Sequence, residues 1–503
     1  MKKFDVVIIG SGLGGLVTAS ILTKNNYKVC VLEKNEQFGG ALQVFKRDDV
    51  ILDTGVHYLG SLAKGENLYQ FFKYLGLLDK LKLKQMDTNG FDQISFGDSN
   101  EIYCWANGYK HFEDTLKQKF PDESDAISLY IEKVQETCKS LELYNLKVPT
   151  APDFYAWYNT LNAYDFLRSI TSNERLIAVL LGNNLLYYAD KEKTSFYVHA
   201  LIVNSYICSA WRCVDGGQQI ANILVRNIRR NGGKVLRNAE VNKIIVKDNL
   251  VTAAQLTNGN FIYAKQFVSN VNPSLTLDLI EADVVRASYK NRIKSIENSM
   301  SAFTMHLILK KNCFPYFNHN RYHFTAENIW CNTDYKTENW PENLMIFTPA
   351  NSQNDKYAES LSIMCSMKFD EVAEWSDTFP VVPEQSIRNP KYLEWKKEKE
   401  NRILEIVFKL YPELKGNIVS SYASSPLTYR DYLNTKNGTA YGHKQDCKHP
   451  VDSYISHRTK LPNLFLTGQD INLHGVLGVT ISAFLSASSF VDISKLLQEV
   501  RES

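Results

Sequence analysis

The sequence predicts an α/β protein in which a Rossmann-like parallel sheet is interleaved with a second, α+β region. Three observations lead there. Phe4–Ile9 (FDVVII) is a short β-branched run of the kind that fills a buried parallel strand. Gly10-Ser11-Gly12-Leu13-Gly14-Gly15 follows at once and opens a helical pattern through Thr23. Lys28–Glu33 (KVCVLE) then reads as a second strand ending in an acid, eighteen residues after Gly15.

Each of these parts has a physical task. Gly10 permits the tight turn, Gly12 lets the backbone approach a pyrophosphate, and Gly15 lets the helix pack on the sheet. The helix N-terminus faces the phosphate charge. Glu33 accepts hydrogen bonds from ribose hydroxyls, and its charge repels a 2′-phosphate. The candidate dinucleotide contacts here are Gly10, Ser11, Gly12, Gly14, Gly15, Glu33 and Lys34.

That fingerprint serves NAD and FAD alike, and the residues after it favour FAD. Gly39-Gly40-Ala41-Leu42 and Asp53-Thr54-Gly55 supply glycines close to where a ribityl chain and flavin ring would run. A second set of contacts returns near the C-terminus. Asn463–Leu466 reads as a strand running into Thr467-Gly468-Gln469-Asp470, and Gly475–Val491 opens as an apolar helix. Asp470 suits a ribityl hydroxyl, and the amides of Gly478 and Val479 suit the flavin's electron-rich pyrimidine edge. Further candidates are Gly40, Ala41, Leu42, Gly55, Asn270, Gly468 and, for adenine, Val241.

These motifs set the organisation. A discontinuous cofactor domain is expected from residues 1–95, 212–275 and 421–503. Its middle stretch reads as a helix after Gly217, strands at Lys234–Val235 and Glu240–Val246, and a hairpin turn at Asn258-Gly259. Residues 96–211 and 276–420 are expected to form a substrate-facing domain, with candidate membrane-contact helices around 150–211. There Arg175–Tyr188 and Phe196–Trp211 read as apolar helices. Phe303–Leu309, Leu344–Phe347 and Leu361–Met367 read as strands, and Pro390–Leu410 as an amphipathic helix.

Composition bounds the function. The 503 residues are 44% hydrophobic and 22% charged, which is globular and excludes a disordered chain. A net charge of +2 leaves no electrostatic footprint for nucleic acid. Nine cysteines without a C-x-x-C read as free thiols in a reducing compartment. Met1-Lys2-Lys3 and the apolar run behind it imitate a signal peptide, but Gly10 breaks the run. The longest uncharged stretches fall short of the roughly 20 residues that span a bilayer. A cytoplasmic protein, or one held peripherally at a membrane, is therefore expected. Aromatic content of 12% means large cores or a cavity for a flat apolar ligand. Phe154, Tyr155, Trp157, Tyr158, Tyr164 and Phe166 crowd into thirteen residues and are open to three readings: core, lipid tunnel or membrane contact.

Further segments add a resemblance. EKNEQFGG and TGQD resemble the flavoprotein group of amine oxidases and phytoene desaturases. GVHYLG at Gly55–Gly60, Asp215-Gly216-Gly217-Gln218, Asn270-Val271-Asn272-Pro273 and Ser425-Pro426-Leu427-Thr428, with Gly438-Thr439-Ala440-Tyr441-Gly442, resemble the retinol saturase and carotenoid isomerase branch of that family. The matches run from residue 4 to about 485. The chain departs from many relatives in carrying Ala41, where they have a basic residue after the paired glycines. The resemblance implies an FAD-binding fold of the glutathione reductase type 2, amine oxidase-like kind. It also implies an oxidoreductase acting on C=C or CH–CH bonds of a polyene, retinoid or isoprenoid-like lipid, most nearly a retinol saturase-like reductase. The alternatives are a carotenoid desaturase or isomerase, a lipid-binding flavoprotein without turnover, and an amine oxidase.

Saturating a double bond needs hydride at one carbon and a proton at its neighbour. The candidate proton donors are His57, Tyr58, Tyr441 and His474, with His57 or Tyr58 favoured. A histidine that only holds its loop is an equal reading for His57. No second dinucleotide fingerprint is present, so the flavin's electron donor is open between transient NAD(P)H, a partner protein and the substrate itself. No metal site is expected: the His319 and His323 pair flanks a turn read at Asn318 and Asn320, and H-E-x-x-H is missing.

Overall fold

The computed structural model describes residues 4–150, 154–281, 284–379 and 388–503. The signal-like start Met1-Lys2-Lys3 lies outside them.

Phe4–Ile9 is the centre of a seven-stranded sheet. It pairs in parallel with Val29–Leu32 on one side and Phe261–Ser269 on the other. Lys234–Leu236 extends the first side, and Leu250–Leu256 and Val241–Lys247 extend the second as an antiparallel hairpin and meander. Leu464–Leu466 also pairs in parallel with Phe261–Ser269. Val6 to Ile8 are fully buried, because Val6 and Ile8 face helix Leu13–Lys24 while Val7 faces the cluster formed with the hairpin residues Val241, Ile244 and Val251. Helix Leu13–Lys24 buries all but its last residue and packs on helices Gln218–Arg230 and Gly475–Ala487. Chain segments remote in sequence therefore meet at one sheet edge.

A second seven-stranded sheet runs in the order 418–424, 301–309, 360–367, 343–347, 320–324, 92–96 and 103–105. Helix Pro390–Leu410 covers one face through Ile403 and Val407, against Phe303, Leu307 and Ile363. Leu59–Gly60, Ala210–Cys213 and Leu83–Gln85 form a small third sheet. That sheet fixes the GVHYLG segment: Leu59 pairs with Trp211, and Gly60 with Ala210.

Three local expectations change. The turn at Asn318 and Asn320 is instead the start of strand Asn320–Phe324, pairing on both edges with 92–96 and 343–347. Its polar residues hid it, and the neighbours that satisfy them are remote in sequence. The helix read over Arg175–Tyr188 stops at Leu180, giving way to a short 3-10 turn at Asn184–Leu186. The helix read to Trp211 ends at Cys208, because Ala210–Cys213 is drawn into the third sheet. No helix among the described residues is long and apolar enough to cross a membrane.

Asn463, just before strand Leu464–Leu466, ties that strand to its neighbours Leu250–Leu256 and Phe261–Ser269. Its Oδ1 accepts from the Val251 amide at 2.8 Å, and its Nδ2 donates to the Val251 and Lys265 carbonyls at 2.8 and 2.9 Å. Asn463→Ala leaves a buried backbone amide without a partner. Urea unfolding is expected to show a loss of about 1–3 kcal/mol, an effect that a solvent-exposed asparagine would not produce.

Candidate functional site

The glycine turn is shaped by close backbone approach. A Cβ on Gly15 would stand 2.2 Å from the Gly10 carbonyl oxygen, and one on Gly14 would stand 2.9 Å from the Gly468 Cα. The turn therefore brings the start of the first helix directly against the TGQD segment. Helix Leu13–Lys24 begins at Gly12 with no side-chain cap and no acid in its first turn. Its first amides are open to an anion, the arrangement that receives a pyrophosphate. Glu33 is buried beside the turn: its Oε2 accepts from the Ser11 amide at 3.0 Å and from the Ser11 hydroxyl at 2.6 Å. The close-packed glycines, uncapped helix and fixed acid fit a dinucleotide.

From this turn a continuous cavity of about 830 Å³ runs into the protein. Its walls include Gly12, Gly14, Gly40, Ala41, Leu42, Gly55, Asn270, Gly468, Asp470, Gly478 and Val479. Gly10, Ser11, Gly15, Glu33, Lys34 and Val241 stand outside the cavity walls. Lys34 donates to the Asp431 carbonyl at 2.7 Å, and its burial lowers its pKa. Val241 packs into the apolar cluster that includes Ile9 and Leu32. Asp470 is fixed by the His443 amide at 2.9 Å and the Asn272 side chain at 3.3 Å. His474 caps the helix Gly475–Ala487 by position only, its Nε2 donating to the Leu186 carbonyl at 2.9 Å. That helix N-terminus is left open beside Gly478 and Val479.

The rest of the wall is apolar and aromatic. Tyr58, Tyr206, Tyr441 and His474 line it with Leu201 and Ile202. Tyr58 stacks on Tyr206 at 4.2 Å, and Tyr441 lies against His474 at 4.5 Å. The crowded aromatic segment divides: Phe154 and Tyr158 line the cavity, Phe166 packs on Phe196, and Tyr155 is 75% exposed.

His57 and Tyr58 differ sharply. The His57 ring lies against Phe347 at 4.6 Å, and its Nδ1 is buried without a partner. Burial, with His306 and Arg212 nearby, lowers its pKa to about 3, so it is neutral at physiological pH. Tyr58 donates to Asp92 Oδ2 at 3.0 Å and shares a 2.8 Å hydrogen bond with the Tyr322 hydroxyl. Asp92 also accepts from Asn320 Nδ2 at 2.8 Å, while Arg212 Nη2 donates to Asn320 Oδ1 at 2.9 Å. The sequence reading missed Tyr206, Asp92, Arg212, Asn320 and Tyr322. They carry no motif, and they meet because strands 92–96 and 320–324 pair with Asn320 opposite Asp92.

Comparisons with known proteins follow the same outline. The NAD(P)-binding Rossmann-like domain family matches residues 8–75. The chain is 26% identical to an all-trans-retinol 13,14-reductase of Rattus norvegicus, over 97% of this chain and 86% of that protein. It is 26% identical to prolycopene isomerase 1 of an Oncidium hybrid cultivar, over 88% and 75% of the respective chains. Along most of its length the chain is thus similar to proteins named as retinol reductases and prolycopene isomerases. In structure it is similar to a putrescine oxidase triple mutant, with a TM-score of 0.67 at 15% identity over 99% of both chains. That likeness covers the whole chain, so the fold is shared beyond the Rossmann-like part.

Two outcomes follow from this geometry. Gly15→Ala, whose methyl meets a backbone carbonyl, is expected to abolish retention of the bound dinucleotide on gel filtration. Buried histidines should also set the acid limit of stability. Burial lowers His57 and His199 to about 3, and His306 and His474 to about 4. Unfolded histidine titrates near about 6.5. Their contribution is thus present above about pH 6.5 and lost as pH falls toward about 4. Asp53 and Asp92, raised by burial to about 7, act with the opposite sign but are fewer. Calorimetry should therefore find the melting temperature falling with acid across this range, and a flat profile would contradict it.

Proposed function

We propose that the protein is an FAD-dependent oxidoreductase that saturates a C=C bond of a retinoid or related polyene lipid. The carrying observation is one cavity that joins the glycine cradle to an aromatic, apolar chamber. The whole-length similarity to a retinol 13,14-reductase supports the substrate class. When bound, the flavin supplies a hydride equivalent.

The chain's own residues do the rest. Gly12, Gly14 and the first turn of helix Leu13–Lys24 receive the pyrophosphate, with Glu33 beside the ribose. Asp470 and the open start of helix Gly475–Ala487 face the flavin end. Leu201, Ile202 and Tyr206 hold the polyene and exclude water. Tyr58 is the proton donor in this reading. Its hydroxyl sits in a hydrogen-bonded network, whereas neutral His57 has no imidazolium proton to give.

A second reading, isomerisation of a polyene, is favoured by the similarity to a prolycopene isomerase. Anaerobic mixing of the reduced flavoprotein with all-trans-retinol separates the two. Loss of conjugated absorbance with a gain of two hydrogens by mass spectrometry is expected; unchanged mass with altered double-bond geometry assigns the isomerase reading. Tyr58→Phe should lower turnover by about 100-fold or more. Full turnover in that variant would remove Tyr58 from the reaction.

A further inference from the structure

Behind Tyr58, away from the cavity, lies a polar cluster inside the protein. Asp92, Asn183, Asn320 and Tyr322 are fully buried, and Arg212 nearly so. Such a cluster is costly to desolvate, and each polar group in it needs a partner. Arg212 is the nearby cation, yet it does not pair with Asp92. Its Nη1 donates to the His57 carbonyl at 3.2 Å, and its Nη2 to the His319 carbonyl at 2.7 Å and Asn320 Oδ1 at 2.9 Å. The Asp92 carboxyl instead meets Tyr58 at 3.0 Å, Asn320 at 2.8 Å and Asn183 at 3.5 Å. A carboxyl buried without an ion-pair partner favours its neutral form. Burial raises Asp92 to about 7, outweighing those three hydrogen bonds and the positive field of Arg212. The ionisable groups facing it are Tyr58, Tyr322, Tyr206 and Arg212.

We propose that Asp92 is the acid that restocks Tyr58 with the proton Tyr58 delivers to the substrate. This inference rests on the reading of Tyr58 as proton donor. In the step, a hydride equivalent, which a bound reduced flavin would supply, forms a C–H bond at one carbon of the double bond. The Tyr58 O–H bond breaks as a second C–H bond forms at the neighbouring carbon. The phenolate then accepts the Asp92 carboxyl proton across the 3.0 Å contact, the reverse of the resting bond in which Tyr58 donates. The substrate gains two electrons, the flavin loses two, and Asp92 is left as a carboxylate held by Asn320 and Asn183. One proton taken up per turnover restores the Asp92 carboxyl. Asp92 touches no reacting atom, so its role is relay and positioning.

Infrared titration of the resting flavoprotein, without substrate, reads the protonated carboxyl directly. A carboxylic-acid carbonyl band with a midpoint near about 7 is expected, and Asp92→Asn should remove one such component while leaving that of Asp53. In turnover, kcat should fall as pH rises through that midpoint. Asp92→Asn should lose this limb and lower kcat at least about 10-fold, with KM held within about twofold. If that variant fails to fold, Tyr58→Phe serves: it deletes a hydrogen bond that lowers Asp92, so the midpoint must move up. The relay is overturned by a wild-type spectrum without the band, by an unmoved midpoint in Tyr58→Phe, or by Asp92→Asn retaining kcat and its pH limb. Wild-type protein that reduces no polyene overturns the underlying reading instead, while the infrared band still reports the state of Asp92.

Discussion

The architecture depends on the contact between the glycine turn and the TGQD segment. Gly14 lies so close to the Gly468 backbone that a Cβ on Gly14 would force a displacement, and a Cβ on Gly468 would crowd the Asn270 side chain between the two segments. This contact is made by residues more than 450 positions apart, and it is possible because Phe261–Ser269 pairs in parallel with both Phe4–Ile9 and Leu464–Leu466. Once the turn is closed, the starts of helices Leu13–Lys24 and Gly475–Ala487 both open toward the same cavity. Two helix N-termini then favour negative charge at two points of the cavity wall. The electrostatics of the site therefore follow from packing.

The second sheet contributes differently. It supplies the outer wall of the chamber through Met345 and Met364, and a polar interior through Asp92, Asn320 and Tyr322. The third sheet links the two large ones, because its strand Ala210–Cys213 carries Arg212 and pairs with Leu59–Gly60. Arg212 donates to the His57 carbonyl, which holds the segment bearing His57 and Tyr58 in place. The His57 backbone carbonyl and the Tyr58 hydroxyl are thus held in one hydrogen-bonded frame. Low dielectric around that frame strengthens each bond in it and penalises any unpaired member.

Legibility in the sequence followed locality. The strand, turn, helix and strand over residues 4–33 were readable because each element is specified by its own residues. So was helix Pro390–Leu410, whose ends match its apolar spacing. Strand Asn320–Phe324 was not, because Asn320, Arg321 and His323 look like loop residues until their partners are known. The early end of the helix at Cys208 had the same origin, since Ala210–Cys213 obeys a distant strand. In the site, the glycine motifs and the GVHYLG and TGQD segments marked the cavity walls. The tyrosine–aspartate network behind them carries no spacing signal, because residues 58, 92, 183, 212, 320 and 322 meet only through tertiary pairing.

The central claim is that one cavity holds the flavin and an apolar polyene side by side, with Tyr58 reaching the double bond. The direct test is a crystal structure of the protein with FAD and a bound polyene. The flavin ring should lie between the Gly55–Tyr58 segment and the start of helix Gly475–Ala487, with the polyene along Leu201–Tyr206 and the Tyr58 hydroxyl against its double bond. A flavin bound elsewhere, or a polyene that stays outside this cavity, would contradict it.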